Sequence, residues 1–402
     1  MIEQIGGTRY VVDCRGLPEI IVMPNDPIFF DRTTFEAAQD LSRSIRETNP
    51  RRAALTETIF TFHRALFRLN QAARAIDDVA FPGYRDAEIE RPIYIVANPR
   101  SGTTFLHRLM CLDHQFFYLK LFHTLFPAVS LFKIIDAASD TDSVFSRLLE
   151  TGIDAFEDRF FGAWEDIHPL GFDRAEEDEG LFVLTLLSPG LYLLFPEISK
   201  LPRPSAVDDL SGETRRRVMD FYESCLKRVK FVEGRHKTFL GKTVLVPGRF
   251  QSLLDRFPRA RFVQLVRHPY KTVPSFVSMF RLPWRSFAPE IEDRSPQTRQ
   301  LADLAIDYYR RSFEARKRVD DDHMMTVRFD NLVAEPKKHI ERIYDWLDYD
   351  ITPSFEYNLD AELRSRREYS SSHEYSLEQF GLTRGEIYGR LRDVFEYHGF
   401  EP

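Results

Sequence analysis

The chain has 402 residues, 43% of them hydrophobic, enough to bury a full core in one large α/β unit with a helical N-terminal extension, not in several small modules. Its formal net charge of −7 argues against a general nucleic-acid binder, and Cys14, Cys111 and Cys225 are too few and too scattered for a disulfide framework or a zinc site. The start, MIEQIGGTRY, lacks a basic segment followed by an apolar run, so neither a secretory signal nor an anchor is expected, and a cytoplasmic location is.

In chain order, residues 1–90 read as a short strand-like start followed by helices. Thr33 and Glu36 make a capping-box signature for a helix to about Ser44, and Asn49-Pro50 breaks the pattern. A second helix from about Arg52 places Leu55, Ile59, Phe62, Leu66 and Leu69 at helical spacing, and Pro82-Gly83 ends it. This extension is expected to cover the sheet or a ligand side and to carry no chemistry. Residues 91–402 form the main domain.

From Pro92 onward, apolar strands at 93–97, 116–121, 238–240, 262–266 and 324–328 alternate with helices. That spacing predicts parallel strands joined by helical crossovers, with ligands at the carboxyl ends of the strands. A helical stretch over 142–230 reads as an insertion on the ligand side. Two apolar runs, 115–135 and 181–196, are interrupted by Lys120, His123 and Pro127 and by Ser188-Pro189-Gly190. Each falls short of the about 20 uninterrupted apolar residues that cross a bilayer, so core packing is the expectation, ahead of a hydrophobic wall or a membrane surface. The 35 Phe residues serve such a core and leave some for an apolar pocket. Between Lys227 and Arg285 stand 14 Lys or Arg and only two acids, Glu233 and Asp255, a stretch suited to attracting a highly charged anion.

Residues 93–109, IYIVANPRSGTTFLHRL, run from a buried-type strand through a tight turn into a helix that opens on two hydroxyls. A helix start offers unpaired amides and a positive dipole end, so Gly102, Thr103 and Thr104 can cradle a phosphate or sulfate, with Ser101 in the turn and Arg100 adding a full charge. Against a Walker A loop the first glycine is missing and Thr103 stands where lysine belongs, which weakens an ATPase assignment. With its Pro-Arg-Ser-Gly-Thr-Thr, the turn resembles the 5′-phosphosulfate loop of the sulfotransferases, whose donor is 3′-phosphoadenosine 5′-phosphosulfate (PAPS). Residues 261–280, RFVQLVRHPYKTVPSFVSMF, are similar to that family's 3′-phosphate segment, in which an Arg at a strand end and a Ser eight residues later, here Arg267 and Ser275, hold the phosphomonoester. Residues 242–262 and 327–347 resemble its neighbouring segments, and 373–382 its bacterial branch, so the likeness covers most of the chain beyond residue 90.

The resemblance implies a P-loop-type three-layer fold with a central parallel sheet. It also implies sulfuryl transfer from PAPS, releasing 3′,5′-ADP without a metal, to a hydroxyl or amine of a hydrophobic small molecule or lipid, with peripheral membrane contact an option. Residues 118–127, YLKLFHTLFP, look like the segment that supplies the family's catalytic His or Glu, which makes His123 the expected base. Arg100 and Lys242 are the expected stabilisers of the leaving group, with Lys120 a further option. The run Glu176-Glu177-Asp178-Glu179 is expected to be a solvated helix start. The competing base is a carboxylate such as Glu179, near His168 of EDIHP; His107 is expected to be packing. Arg364, Arg366 and Arg367 are left out of the site. A P-loop kinase or NTPase, and a non-catalytic nucleotide- or lipid-binding relative, are the alternatives.

Overall fold

The structure is a computed structural model and describes residues 2–5, 8–11, 25–139, 174–365 and 376–402. Strands β1 (Ile2–Ile5) and β2 (Thr8–Val11) pair as an antiparallel hairpin. The main sheet comprises β3 (Ile93–Ala97), β4 (Phe116–Phe117), β5 (Thr238–Thr243), β6 (Arg261–Val266) and β7 (Met324–Arg328). Its order is β4-β5-β3-β6-β7, and every neighbouring pair is parallel. The chain leaves β3 for one edge and later returns to β6 on its other side, so β3 stands at a topological switch, where open α/β sheets bind ligands.

Both faces of the sheet are covered, which makes the three layers. Tyr94, Val96 and Phe262 point into one apolar cluster with Phe221, Tyr222 and Cys225 of the helix Gly212–Glu233. Ile93, Ile95, Val263 and Leu265 point the other way, onto Leu106, Leu109, Ile340 and Ile343. A strand buried on both faces reads as a continuous apolar run, as IYIVA does. A third cluster gathers the helices Pro269–Phe287, Pro296–Arg318 and Arg384–His398 beyond the end of β6.

The expected strand at 116–121 shrinks to Phe116–Phe117, with a single antiparallel bridge from Lys120 to Ala175, while β5 extends three residues beyond 240 because it keeps pairing with β3 through Val96 and Thr243. Both apolar runs, 115–135 and 181–196, lie largely in the core. The first long helix is Arg32–Ser44, capped by Asp31 rather than by Thr33; Asp31 Oδ1 accepts the Thr34 N–H at 2.8 Å. Asn49 caps the next helix, Pro50–Ala80, so Asn49-Pro50 opens a helix as well as ending one.

That helix turns a different face inward from the one its apolar spacing marks. Phe60, His63, Leu66, Asn70, Arg74 and Asp77 are buried, whereas Phe62 and Leu69 are each 47% exposed. Polar anchoring sets this orientation. Arg74 binds the Pro127 carbonyl (3.0 Å), Ser224 (2.6 Å) and Asp26 (3.1 Å), and Asp77 takes Arg228 (3.0 Å) and the amides of Val129 and Ser130 (both 2.8 Å). Leaving such charges buried without partners would cost more than exposing two apolar side chains.

Candidate active site

The loop after β3 is shaped by two left-handed residues, Arg100 at φ 70° and Gly102 at φ 86°. A Cβ on Gly102 would stand 2.2 Å from the Phe329 ring, so glycine is required there for both conformation and space. Gly102 is the N-cap of Thr103–Met110 and no side chain among the described residues caps that helix, which leaves first-turn amides available to an anion. Ser101 is fully buried and its hydroxyl has no hydrogen-bond partner among the described residues, a donor suited to an anionic oxygen.

Residues distant in sequence converge on this turn. Arg267, directly after β6, donates to the Arg100 carbonyl at 3.0 Å, and Arg100 Nε donates to Ser275 Oγ at 3.1 Å. The Arg267 guanidinium lies 4.6 Å from the centre of the Phe329 ring, and its carbonyl accepts the Tyr309 hydroxyl at 2.7 Å. The structure thus brings together Arg100, Ser101, Gly102, Thr103, Thr104, Arg267 and Ser275 at the ends of the adjacent strands β3 and β6. Phe329, which supports both the loop and Arg267, escaped notice as a site residue, although it lies within the segment 327–347 that carries the family likeness.

Lys242 arrives from β5, within the strand rather than past its end. Its side chain is fully buried, with Nζ 3.3 Å from Thr104 Oγ1, 3.3 Å from Glu177 Oε1 and 3.9 Å from Glu176 Oε2. The acidic run is therefore no solvated turn. Glu176 is 6% exposed and Asp178 1%. Asp178 accepts the hydroxyls of Tyr222 (2.9 Å) and Thr243 (2.7 Å), and its N–H donates to the Lys242 carbonyl at 3.3 Å. Buried Arg249 pairs with Glu179 and stands 3.6 Å from Asp178. Burial outweighs that cation and lifts the Asp178 carboxyl to about 7. The run is buried because its cations come from β5 and from Arg249, more than 60 residues along the chain.

His123 lies in the short helix Leu121–Leu125 and not at a strand end. Its buried ring packs against Phe122 and Phe132, with centroids at 4.1 and 4.7 Å, and Nδ1 accepts the Lys120 N–H at 3.2 Å. Burial, then the Lys120 charge, drives it down to about 3. His107 is packed as expected, its Nε2 3.4 Å from the Leu240 carbonyl, and burial with Lys242 holds it at about 3. Lys120 stands 3.9 Å from Glu233. Arg364 is exposed on Pro353–Ser365, while Cys14, His168, Arg366, Arg367 and residues 142–173 of the expected insertion lie outside the described residues.

Many cations of the basic stretch are paired with acids, several from elsewhere in the chain, while Lys230, Arg235 and Arg261 bind backbone carbonyls. Arg228 meets Asp26 and Asp77, Arg256 meets Asp220 and Glu223, and Arg281 meets Asp293.

A three-layer α/β sheet whose central strand ends in a glycine turn, with two arginines beside it, is an arrangement able to hold an anionic group. The sulfotransferase family model matches residues 92–353, and the chain belongs to that family. It is 24% identical over 314 residues to the omega-hydroxy-beta-dihydromenaquinone-9 sulfotransferase Stf3 of Mycobacterium bovis, spanning 77% of this chain and 76% of the relative. Among solved structures it is similar to sulfotransferase STF9 of Mycobacterium avium, with a TM-score of 0.70 at 18% identity, over 94% of this chain and 98% of that one. Sulfotransferase STF1 of Mycobacterium tuberculosis H37Rv gives a TM-score of 0.67 at 18% identity, over 90% and 92% of the two chains. Among the described residues, no helix is long and apolar enough to cross a membrane.

Proposed function

We propose that this protein moves the sulfuryl group of PAPS to a hydroxyl or amine of a hydrophobic, lipid-like acceptor. The observation that carries this proposal is the convergence of the Arg100–Thr104 turn with Arg267 and Ser275, two anion-holding elements in contact through Arg100. The turn holds the 5′-phosphosulfate, and the Ser101 hydroxyl, without a partner among the described residues, and the first amides of Thr103–Met110 fit its oxygens. Arg267 and Ser275 take the 3′-phosphate. Charge grows on the bridging oxygen as 3′,5′-ADP leaves, and Arg100 with Lys242 stands ready to stabilise it without reorganisation.

The acceptor class rests on the Stf3 relatives, whose name specifies a hydroxylated menaquinone derivative. The helix Pro50–Ala80 adds support: Leu69, Ile76 and Val79 are 47%, 55% and 85% exposed along one face, with Arg64 and Arg68 beside them, a surface suited to the membrane that holds such a lipid. A cytoplasmic site of action goes with the free thiols Cys111 and Cys225.

Incubation with sulfur-labelled PAPS and a panel of geranylgeraniol, phenols, steroids and sugars tests the proposal. Label should pass to the prenyl alcohol and no added metal should be needed. Label on no acceptor, together with Mg2+-dependent ATP turnover, would favour the P-loop kinase instead.

A further inference from the structure

Given the assignment of Arg267 and Ser275 to the 3′-phosphate above, we infer that Phe400 is a positioning residue for that end of the nucleotide site, acting through His268 and Arg328. Strands β6 and β7 are parallel neighbours with Val266 opposite Arg328, so residues 267–268 and 328–329 leave adjacent strand ends side by side. Within each pair the two side chains have different partners. Arg267 and Phe329 meet the anion turn: Arg267 donates to the Arg100 carbonyl at 3.0 Å, the Phe329 ring fills the space beside Gly102, and the guanidinium lies 4.6 Å from the ring centre. His268 and Arg328 instead meet the segment 398–401.

That segment spans the two strand ends. Gly399, left-handed at φ 64°, ends the helix Arg384–His398 and folds the chain back, so that the Phe400 N–H donates to the Phe395 carbonyl at 2.9 Å. Arg328 donates to the carbonyls of His398 (3.0 Å) and Gly399 (3.3 Å). The Tyr270 N–H donates to His268 Nδ1 at 3.2 Å, so Nε2 carries the proton that the Glu401 carbonyl accepts at 3.0 Å. Between these contacts stands the Phe400 ring, 6% exposed, its centre 5.0 Å from that of the His268 ring and 4.9 Å from the Arg328 guanidinium. One side chain thus touches a residue at the end of each strand.

A phosphate grip needs its donors held to within about 0.5 Å by neighbours that are themselves locked in place. His268 stands between Arg267 and the helix Pro269–Phe287, which it caps and which carries Ser275, so a displaced imidazole shifts both groups assigned to the 3′-phosphate. Arg328 immediately precedes Phe329, so a shift there moves the ring that supports the same guanidinium. Removing the Phe400 ring would leave a void between His268 and Arg328 into which either can relax. The 5′ end of the nucleotide is less exposed to such a change. Its turn follows β3, which lies one strand farther from β7 in the order β3-β6-β7, and its amides belong to Thr103–Met110.

The test is calorimetry with 3′,5′-ADP and with adenosine 5′-monophosphate on wild type, Phe400→Ala, Phe400→Leu and His268→Asn, with urea midpoints measured alongside. Phe400→Ala should bind 3′,5′-ADP about tenfold more weakly while the monophosphate changes by less than about twofold. Phe400→Leu, which fills most of the void, should recover part of that loss. Asparagine is a strong helix cap, so His268→Asn keeps the start of Pro269–Phe287, removes the imidazole, and should repeat the selective loss even where Phe400→Ala fails to fold. Packing alone would lower the urea midpoint without changing the ratio of the two affinities. An unchanged ratio in folded Phe400→Ala or in His268→Asn, whether from no loss or from equal losses, therefore overturns the role of Phe400 and leaves the 3′-phosphate assignment standing. A wild type that binds the two ligands equally overturns that assignment, and the role of Phe400 with it.

Discussion

At the scale of single residues, burial sets the protonation of the groups around the site. His107 and His123 are held at about 3 and His398 at about 4, all from an ordinary value of 6.5, with burial the leading cause. A group whose folded pKa lies below its unfolded one binds protons first in the unfolded chain, so its contribution is complete above about pH 6.5 and is lost as pH falls. Asp178 works the other way: raised from 3.8 to about 7, it gains stability as pH falls through that window. Three histidines outweigh one aspartate, so the urea midpoint should drop between pH 7 and pH 5; a midpoint that rises would contradict these burial assignments. The anion turn was legible in the sequence because its residues are contiguous and their types state their chemistry. The burial of the acidic run was not, because it depends on Lys242 and Arg249, which folding alone brings beside it.

Among elements, the junction between the acidic run and β5 bears most directly on chemistry. Arg249 is buried beside Asp178 and Glu179, its guanidinium 3.7 Å from the centre of the Phe182 ring, and so ties the helix Glu179–Thr185 to the start of the helix Phe250–Arg256 that follows β5. Arg249→Met would leave two largely buried acids without their cation, a change expected to cost about 3–5 kcal/mol. Urea denaturation should read that loss, and a cost below about 1 kcal/mol would show that water or Lys242 serves these acids equally well. Strand positions were legible from apolar runs, because a centre strand buried on both faces has one simple signature. The facing of Pro50–Ala80 was legible only in part: of the apolar stripe at Leu55, Ile59, Phe62, Leu66 and Leu69, Leu66 is buried but Phe62 and Leu69 are exposed, because Arg74 and Asp77, bound to partners far along the chain, decide which side turns inward.

Over the whole molecule, the parallel sheet puts β3 between β5 and β6, so one ligand above the β3 end is within reach of Lys242 on one side and Arg267 on the other. Much of the linear excess of positive charge over residues 227–285 is taken up in ion pairs such as Arg228 with Asp77 and Arg281 with Asp293, while Lys242 and Arg267 stand beside the turn. The central claim is that the turn and Arg267 grip opposite ends of one bisphosphorylated adenosine. Calorimetry with 3′,5′-ADP and with adenosine 5′-monophosphate, on wild type and Arg267→Ala, tests it most directly. Wild type should bind 3′,5′-ADP far more tightly than the monophosphate, and Arg267→Ala should erase most of that difference while leaving the weaker ligand little changed. Equal losses for both ligands, or no binding of 3′,5′-ADP by the folded wild type, would contradict it.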